Sequence, residues 1–240
     1  MKEFLVRVWK VLNVPRYLIW KWQTGIGQKV RVAFKRLRHS RNSGGPQRAI
    51  VMIHIGRSGS TALGDLMDQH SGIFWDGEVW REMVSSGSDH PISDEAFLEF
   101  LERRQRYAGG LVYGYEVKFF HICSLGDGLK SQLEALERLG PTEYIVLERK
   151  NYLRKIISSV KASETSRWHQ PAGSVAAIKK LTLRPDKLHI DGKTTALLPL
   201  LKSYKDDFRK LRQCLSGRNY LWLTYEEDIA ENPLRGYERI

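Results

Sequence analysis

The sequence predicts an α/β fold of three layers around a central parallel sheet, preceded by a basic amphipathic helical arm. Three observations support this prediction. Continuous apolar runs, such as those at 49–55 and 220–224, are typical of strands that are buried on both faces. Segments with helical spacing alternate with these runs, which favours parallel strands joined by helices. Nearly all of the excess positive charge lies in residues 1–48, ahead of the first run.

The predicted elements follow one another in this alternation. Ala49–Ile55 gives the first strand, and residues 62–69 give the helix after it. Asn151–Ser163 has apolar residues every three or four positions and is predicted to be helical. Gly217 closes the helix before the last strand. The remaining assignments are a Ser/Gly-rich loop at 85–94, helices at 94–107 and 195–215, and strands at 111–120, 143–147 and 220–224, while residues 170–192 receive none.

The charge divides the chain into two parts. The 240 residues include 39 Lys and Arg against 27 Asp and Glu, which gives a net charge of +12. Residues 1–48 hold twelve basic residues and one acid, so the rest of the chain holds 27 basic and 26 acidic residues and is nearly neutral. The composition therefore predicts an arm and linker at 1–48 and one domain at 49–240.

The arm has the pattern of a membrane-surface segment. Apolar residues recur at helical spacing, with lysine and arginine on the other side. They are Leu5, Val8, Trp9 and Leu12 in one stretch and Val30, Ala33, Phe34 and Leu37 in another. Such a segment is expected to bind an anionic membrane surface. Packing of the arm on the domain is one alternative. Nucleic-acid binding is another, which the helical spacing disfavours.

Composition excludes several classes of protein. With 42% hydrophobic and 10% aromatic residues, the chain can bury a core and is not wholly disordered. Cys123 and Cys214 form neither a disulfide framework nor a metal-ligand spacing, so we expect a reducing compartment and no metal. No apolar run reaches the ~18 residues of a membrane span, and charges interrupt any signal-peptide core. These features predict a cytoplasmic protein, peripheral on the inner membrane surface.

The strongest chemical signal is Gly56–Thr61, between the first strand and its helix. Glycines allow a tight turn, and a helix N-terminus offers N–H groups and a positive dipole end to an anion. Ser58, Ser60 and Thr61 add hydroxyl donors. Arg57 adds a fixed charge for phosphate or sulfate oxygens. An ordinary glycine turn is the alternative interpretation.

This loop differs from the nucleoside-triphosphate loop G-x-x-x-x-G-K-[ST]. Counted back from Gly59, the first glycine is missing, and Ser60 stands where the lysine belongs. The sequence thus predicts a P-loop-like anion cradle without the features of a magnesium–triphosphate site. A kinase or NTPase is retained as an alternative function. A non-catalytic membrane- or nucleic-acid-binding protein that acts through the arm is another.

Gly-Arg-Ser-Gly-Ser-Thr after an apolar strand resembles the phosphosulfate loop of the sulfotransferases that use 3′-phosphoadenosine 5′-phosphosulfate. Arg57 stands at the second loop position, as in carbohydrate sulfotransferases and the bacterial nodulation-factor type. The resemblance extends from residue 49 to about residue 230 and implies transfer to a hydroxyl of a glycan or glycolipid. It also implies that the donor is bound by Arg57, Ser58, Gly59, Ser60 and Thr61.

A second motif lies at Tyr144–Ser159. Arg149 follows an apolar strand, and α/β folds bind ligands at the edge where parallel strands end. If the next helix starts near Asn151, its exposed N–H groups add to an anion site. The stretch resembles bacterial glycan sulfotransferases, which implies that Arg149 and Ser158, nine positions apart, bind the 3′-phosphate. In eukaryotic cytosolic members the arginine and the serine are only eight positions apart. A solvated basic helix face is the alternative.

Transfer requires a general base that faces the loop. Glu78 is one candidate, because its segment resembles the Gly-Glu-x-Phe element whose glutamate activates the acceptor in glycan sulfotransferases. His121 competes, because cytosolic sulfotransferases place a histidine base after a lysine-containing strand. Lys118 is expected to stabilise the leaving group, and Arg57 is expected to stabilise developing charge. A surface glutamate and a structural histidine are the alternatives.

Aromatic residues near these motifs are candidates for contact with the acceptor. Trp75, Trp80 and Trp168 could stack against sugar rings, and His169, directly after Trp168, is a further candidate for acceptor binding. Burial in the core is the alternative for the tryptophans. His54 lies within an apolar strand and is expected to be a satisfied core histidine.

The segment Leu223–Pro233 resembles the Tyr-Glu-Asp segment near the C-terminus of the family. In relatives a helix and a Phe-Leu-Gly-like stretch follow it. Here the chain stops at Ile240, so we expect either a trimmed end or a member that lacks this element.

Overall fold

The structure, a computed structural model, describes residues 48–79, 93–122, 128–165, 181–191 and 193–240, and the predicted arm and linker at 1–48 lies outside these ranges except for its last residue. The strands are β1 (Ala49–His54), β2 (Ile73–Glu78), β3 (Val112–Lys118), β4 (Thr142–Glu148), β5 (Leu188–Ile190), β6 (Lys193–Thr195) and β7 (Tyr220–Thr224). The α-helices are α1 (Ser60–Gln69), α2 (Asp94–Arg106), α3 (Phe119–Ile122), α4 (Gly128–Arg138), α5 (Tyr152–Thr165), α6 (Leu197–Cys214) and α7 (Pro233–Glu238), with a π-helical turn at Tyr225–Ile229.

Five strands form one parallel sheet in the order β2-β3-β1-β4-β7, which confirms the predicted α/β class and central parallel sheet. In β1, Ile53 is paired with Val117 of β3 on one side and with Val146 of β4 on the other. Within the sheet, β2 and β3 lie on one side of β1, and β4 and β7 lie on the other. The order therefore reverses between β1 and β4, and open α/β sheets bind ligands at such a reversal.

Helices cover both faces of the sheet. In β1, Val51 and Ile53 belong to a core that includes residues of α2, α4, α5 and α6. Ile50 and Met52 belong to a second core, which includes residues of α1. Because side chains alternate along a strand, a strand that is buried on both faces is apolar throughout, as the sequence predicted for β1. No helix in the described ranges has both the length and the hydropathy needed to cross a bilayer.

The differences from the predicted elements have local causes. β3 ends at Lys118 rather than at residue 120, because Phe119–Ile122 turns into a short helix. β2 was not predicted, since Asp76 and Gly77 interrupt its short apolar run and its register with β3 shifts there. α4 was also missed, although Leu129, Leu133 and Leu136 in its sequence have the spacing of a helix face. The hairpin formed by β5 and β6 lies mostly within the stretch that received no assignment.

Candidate functional site

The segment after β1 forms a tight loop whose backbone requires glycine. Gly56, Arg57 and Gly59 have positive φ angles of 75°, 55° and 85°. A methyl group added at Gly59 would lie 2.5 Å from Cγ2 of Ile229, so this position also lacks room for a side chain. α1 begins at Ser60, directly after the turn. Left-handed backbone at a residue such as Arg57 costs about 1–2 kcal/mol, and such conformations are enriched at functional sites.

The two predicted anion motifs meet at the edge of the sheet where β1 and β4 end. Arg57 Nε donates to Ser158 Oγ at 3.0 Å, although the two residues are 101 positions apart. Arg149 Nη1 donates to the backbone carbonyl oxygen of Arg57 at 2.7 Å. The Arg149 guanidinium lies over the ring of Tyr225, with Cζ 4.3 Å from the ring centroid. Arg57, Arg149 and Ser158 therefore form one cluster.

This cluster has the electrostatics of an anion site. Burial lowers the pKa of Arg57, and the nearby charge of Arg149 lowers it further. A bound anion would offset that repulsion between the two guanidinium groups. Within the described part of the chain, Ser58 Oγ and Arg149 Nε are buried without a hydrogen-bond partner. Because buried polar atoms are nearly always hydrogen-bonded, these two atoms fit a ligand that carries phosphate or sulfate oxygens.

The other two predicted hydroxyl donors have different surroundings. Ser60 is 6% exposed, and its hydroxyl is hydrogen-bonded to the buried carboxylate of Glu116. Because of this bond, the hydroxyl of Ser60 helps to hold the loop in place. Thr61 is exposed in the first turn of α1.

A buried histidine and carboxylate hold the loop from below. The backbone N–H of Gly56 donates to His54 Nδ1 at 3.1 Å, and His54 Nε2 lies 3.2 Å from Glu116 Oε2. His54 is fully buried, which confirms its prediction as a core histidine. Burial alone would raise the pKa of Glu116, but His54, Ser60 and Trp75 hold it below its ordinary value. Glu116 was not singled out from the sequence, although a lone acid within an apolar strand is a detectable signal.

Besides Arg57, the residues predicted for catalysis are Glu78, Lys118 and His121, which lie at or just after the ends of β2 and β3. Lys118 Nζ donates to Glu78 Oε2 at 2.6 Å, and both side chains are partly exposed. A methyl group at Gly56 would lie 3.8 Å from Lys118 Cε, so this ion pair borders the anion loop. His121 follows in α3. Burial lowers its pKa to about 4, and the charge of Lys118 contributes to that shift.

The end of β2 that carries Glu78 is fixed by its neighbours. Arg104 Nε and the Tyr113 hydroxyl each donate to Asp76 Oδ2 at 2.7 Å. Gly77 has a φ of 71°, at the point where the register of β2 shifts. Glu78 therefore projects from an anchored bulge, and bulges of this kind often direct side chains at active sites.

The structure places Trp75 in the core. Its side chain is 5% exposed, and its ring packs so closely on Gly64 and Gly114 that neither position has room for a methyl group. Because the ring is buried, it is not accessible to a sugar. The prediction that Trp75 stacks on an acceptor is therefore wrong. Trp80, Trp168 and His169 lie outside the described residues.

Sequence reasoning missed a buried ion pair one helical turn before Ser158. Lys155 Nζ lies 2.6 Å from Asp191 Oδ2 and 2.6 Å from the Tyr204 hydroxyl, which itself donates to Asp191 at 2.8 Å. Lys155 is fully buried, so it is not part of a solvated basic face. Burial lowers its pKa even beside Asp191, and the charge of Arg57 adds to the shift. The pair attaches the hairpin of β5 and β6 to α5 beside the anion cluster.

The two N–H groups directly before α5 bind an acid of the chain itself, whereas the sequence predicted that exposed N–H groups at this point would add to the anion site. The backbone N–H groups of Lys150 and Asn151 each donate to the Glu226 carboxylate at 3.0 Å. The Asn151 side chain accepts from the Arg154 N–H at 3.0 Å. Carboxylates bind helix N-termini for the same reasons as phosphates do. Glu226 therefore occupies the position that the sequence predicted for a ligand anion.

No group of three His, Cys, Asp or Glu side chains among the described residues is arranged to hold a metal ion. Comparison of the chain with protein-family models, with curated proteins and with solved structures finds no significant match. Function is therefore inferred from the motifs and their geometry.

Proposed function

We propose that the chain is a sulfotransferase of P-loop-like architecture, which moves a sulfuryl group from 3′-phosphoadenosine 5′-phosphosulfate to a hydroxyl of a glycan or glycolipid. One observation supports this proposal above the others. Two sequence motifs that each resemble half of a phosphosulfate nucleotide site meet at the reversal of strand order, through the bonds of Arg57 with Ser158 and with Arg149.

The cluster suggests a division of roles on the donor. Arg57, Ser58 and the N-terminal turn of α1 are suited to the phosphosulfate end, because they combine a guanidinium, a buried hydroxyl and helix N–H groups. Arg149 and Ser158 are suited to the 3′-phosphate. A twice-phosphorylated nucleotide would thus bridge the ends of β1 and β4, where the two arginines converge.

The transfer step needs a base and a group that stabilises charge. The acceptor oxygen attacks sulfur, the bond from sulfur to the bridging phosphate oxygen breaks, and adenosine 3′,5′-bisphosphate leaves with the bond electrons. The acceptor proton passes to the base, for which we favour Glu78. His121 is the competing base, and burial lowers its pKa to about 4. Lys118 and Arg57 would stabilise the charge that develops on the leaving oxygen.

Binding of adenosine 3′,5′-bisphosphate, measured by isothermal titration calorimetry, tests the donor site. Loss of Arg149 in Arg149→Ala should weaken binding by about ten- to a hundredfold, because a charged hydrogen bond contributes about 1.5–3 kcal/mol. Arg154→Ala is the matched control, since it removes an equal charge from an exposed position in α5. Absence of binding, or equal affinity in Arg149→Ala and wild type, contradicts the proposal. Magnesium-dependent ATP binding that is tighter than bisphosphate binding would support a kinase or NTPase.

Transfer of labelled sulfate to a panel of glycans and lipid extracts tests the acceptor class. Glu78→Gln should abolish transfer while bisphosphate affinity is retained, whereas His121→Gln should retain most of the activity. The opposite result would make His121 the base.

The arm supports a location on the inner membrane surface, where a glycolipid acceptor would be found. Flotation of the full chain with anionic vesicles, compared with zwitterionic vesicles, tests this part of the proposal. Failure to float with anionic vesicles would contradict it without affecting the donor site.

A further inference from the structure

The π-helical turn Tyr225–Ile229 contacts both halves of the proposed nucleotide site. β4 and β7 are paired so that Glu148 lies opposite Thr224, and the chain after each strand therefore begins at the same edge of the sheet. The turn lies directly after β7, and Arg149 lies directly after β4.

The turn packs against the glycine loop on one side and against Arg149 on the other. A methyl group at Gly59 would lie 2.5 Å from Ile229 Cγ2 and 3.1 Å from Tyr225 Cδ2, so loop and turn are in close contact. The same Tyr225 ring lies under the Arg149 guanidinium. One short segment thus spans the distance between the two motifs.

Glu226 fixes the backbone that carries Arg149. Its Oε2 accepts from the Lys150 N–H and its Oε1 accepts from the Asn151 N–H, each at 3.0 Å. A carboxylate that accepts two N–H bonds at a helix N-terminus also interacts favourably with the helix dipole. Because Lys150 is the next residue after Arg149, this bidentate contact restrains the position of the guanidinium.

The acidic run at 226–228 is compatible with a neighbouring anion because each carboxylate has its own partner. Glu226 binds the N-terminus of α5. Glu227 accepts from Lys150 Nζ at 2.8 Å. Asp228 is buried, accepts from the Thr224 N–H at 2.6 Å and forms an ion pair with Arg239. Glu226 and Glu227 are therefore adjacent acids with different contacts, one to backbone donors and one to an exposed lysine.

We infer that Glu226 is a positioning residue for 3′-phosphate recognition: it holds the Lys150–Asn151 turn so that Arg149 remains beside the anion loop. This inference rests on the proposed function for the identity of the ligand, but its geometric part is independent of that function. Glu226 does not touch the nucleotide in this scheme. It acts through the backbone and through the neighbouring Tyr225.

Glu226→Gln tests the inference, because glutamine keeps the length of the side chain but presents an NH₂ donor to one of the two N–H groups. Wild type should prefer adenosine 3′,5′-bisphosphate over 5′-AMP, and Glu226→Gln should lower that preference by about tenfold while 5′-AMP affinity is retained. Glu227→Gln is the matched control and should keep the wild-type preference. Loss of affinity for both nucleotides to the same extent, or no change for either, overturns the inference.

Amide hydrogen exchange separates this inference from the proposed function. If the wild type binds neither nucleotide, the proposed function fails, and the exchange rates of the Lys150 and Asn151 amides in the unliganded protein still decide the geometric part. Glu226→Gln should accelerate both rates and shift the Arg149 Nε–H resonance, and Glu227→Gln should do neither. Unchanged rates in Glu226→Gln overturn the positioning role. Should Glu226→Gln not fold, Glu226→Asp provides the same comparison, since its shorter side chain cannot span both N–H groups.

Discussion

The path of the glycine loop at Gly56–Thr61 is set mainly by the backbone angles of its own residues, whereas the Arg149 side of the site is positioned mainly by residues that are distant in sequence. On the loop side, positive φ angles at Gly56, Arg57 and Gly59 set the path of the chain. On the other side, Glu226 caps the start of α5 and Asp191 neutralises Lys155 within it.

This difference explains which half of the proposed nucleotide site can be identified from a sequence motif. The loop is recognisable because its glycines, its arginine and its hydroxyl residues are consecutive in the sequence. Arg149 follows a strand and Ser158 lies in the next helix, and their geometry depends on the chain after β7 and on the hairpin of β5 and β6. A sequence pattern therefore predicts the shape of the loop. For the second half of the site it predicts which residues take part but not how they are arranged.

Removal of the buried charge beside α5 is expected to have the largest effect on the second half. Asp191→Asn should lower the free energy of unfolding by about 3–5 kcal/mol, because it leaves the fully buried ammonium of Lys155 without its counter-charge. Urea denaturation measures this change.

Tyr204→Phe is the control for that experiment. It removes one hydroxyl from the same cluster and retains both charges, so it should cost about 1 kcal/mol. If Asp191→Asn costs no more than Tyr204→Phe, the ion pair does not anchor the hairpin to α5, and the contrast between the two halves is lost.

The fold was largely predictable from the sequence, because buried parallel strands and amphipathic helices leave periodic patterns. The continuous apolar run of β1 and the helical spacing within α5 are examples. β2 was not predictable from its pattern, since Asp76 and Gly77 break the run, and the contacts that stabilise this bulge come from Arg104 and Tyr113.

The site was predictable where a motif specified it and not where single residues support it. Arg57, Arg149 and Ser158 were predicted, and they form one cluster. Asp191 and Glu226 were given no role, because an acid in a turn shows no periodicity and its partner is 36 positions away in one case and 76 and 75 in the other. Only the folded chain shows why these acids are needed.

On the loop side, substitution of Gly59 should have the next largest effect. Gly59→Ala introduces a methyl group 2.5 Å from Ile229 and requires left-handed backbone, so about 2–4 kcal/mol of stability should be lost. Bisphosphate affinity should fall as well, because the loop must move. Thermal unfolding and calorimetry measure the two effects.

Gly217→Ala is the matched control, since Gly217 also has a positive φ, of 81°, and nothing lies within 4 Å of the added methyl group. It should cost only about 1–2 kcal/mol and leave nucleotide affinity unchanged. Equal costs for the two glycine substitutions would show that strain alone, and not the contact with the π-helical turn, decides the requirement at Gly59.

The smallest effect is expected from the buried support of the loop, and it depends on pH. Because the folded protein holds the pKa of Glu116 below its ordinary value, the unfolded chain binds the proton more readily. The contribution of the carboxylate is therefore fully present above about pH 4.5 and is lost as pH falls through the pKa of the folded state.

Glu116→Gln should cost about 1–2 kcal/mol at pH 7 and progressively less below pH 4.5. Urea unfolding from pH 7 to pH 4 measures this difference, with Glu95→Gln at an exposed position of α2 as the control. A difference that stays constant with pH would mean that Glu116 supports the loop by shape and hydrogen bonding alone, and that its charge contributes nothing to holding His54 and Gly56 in place.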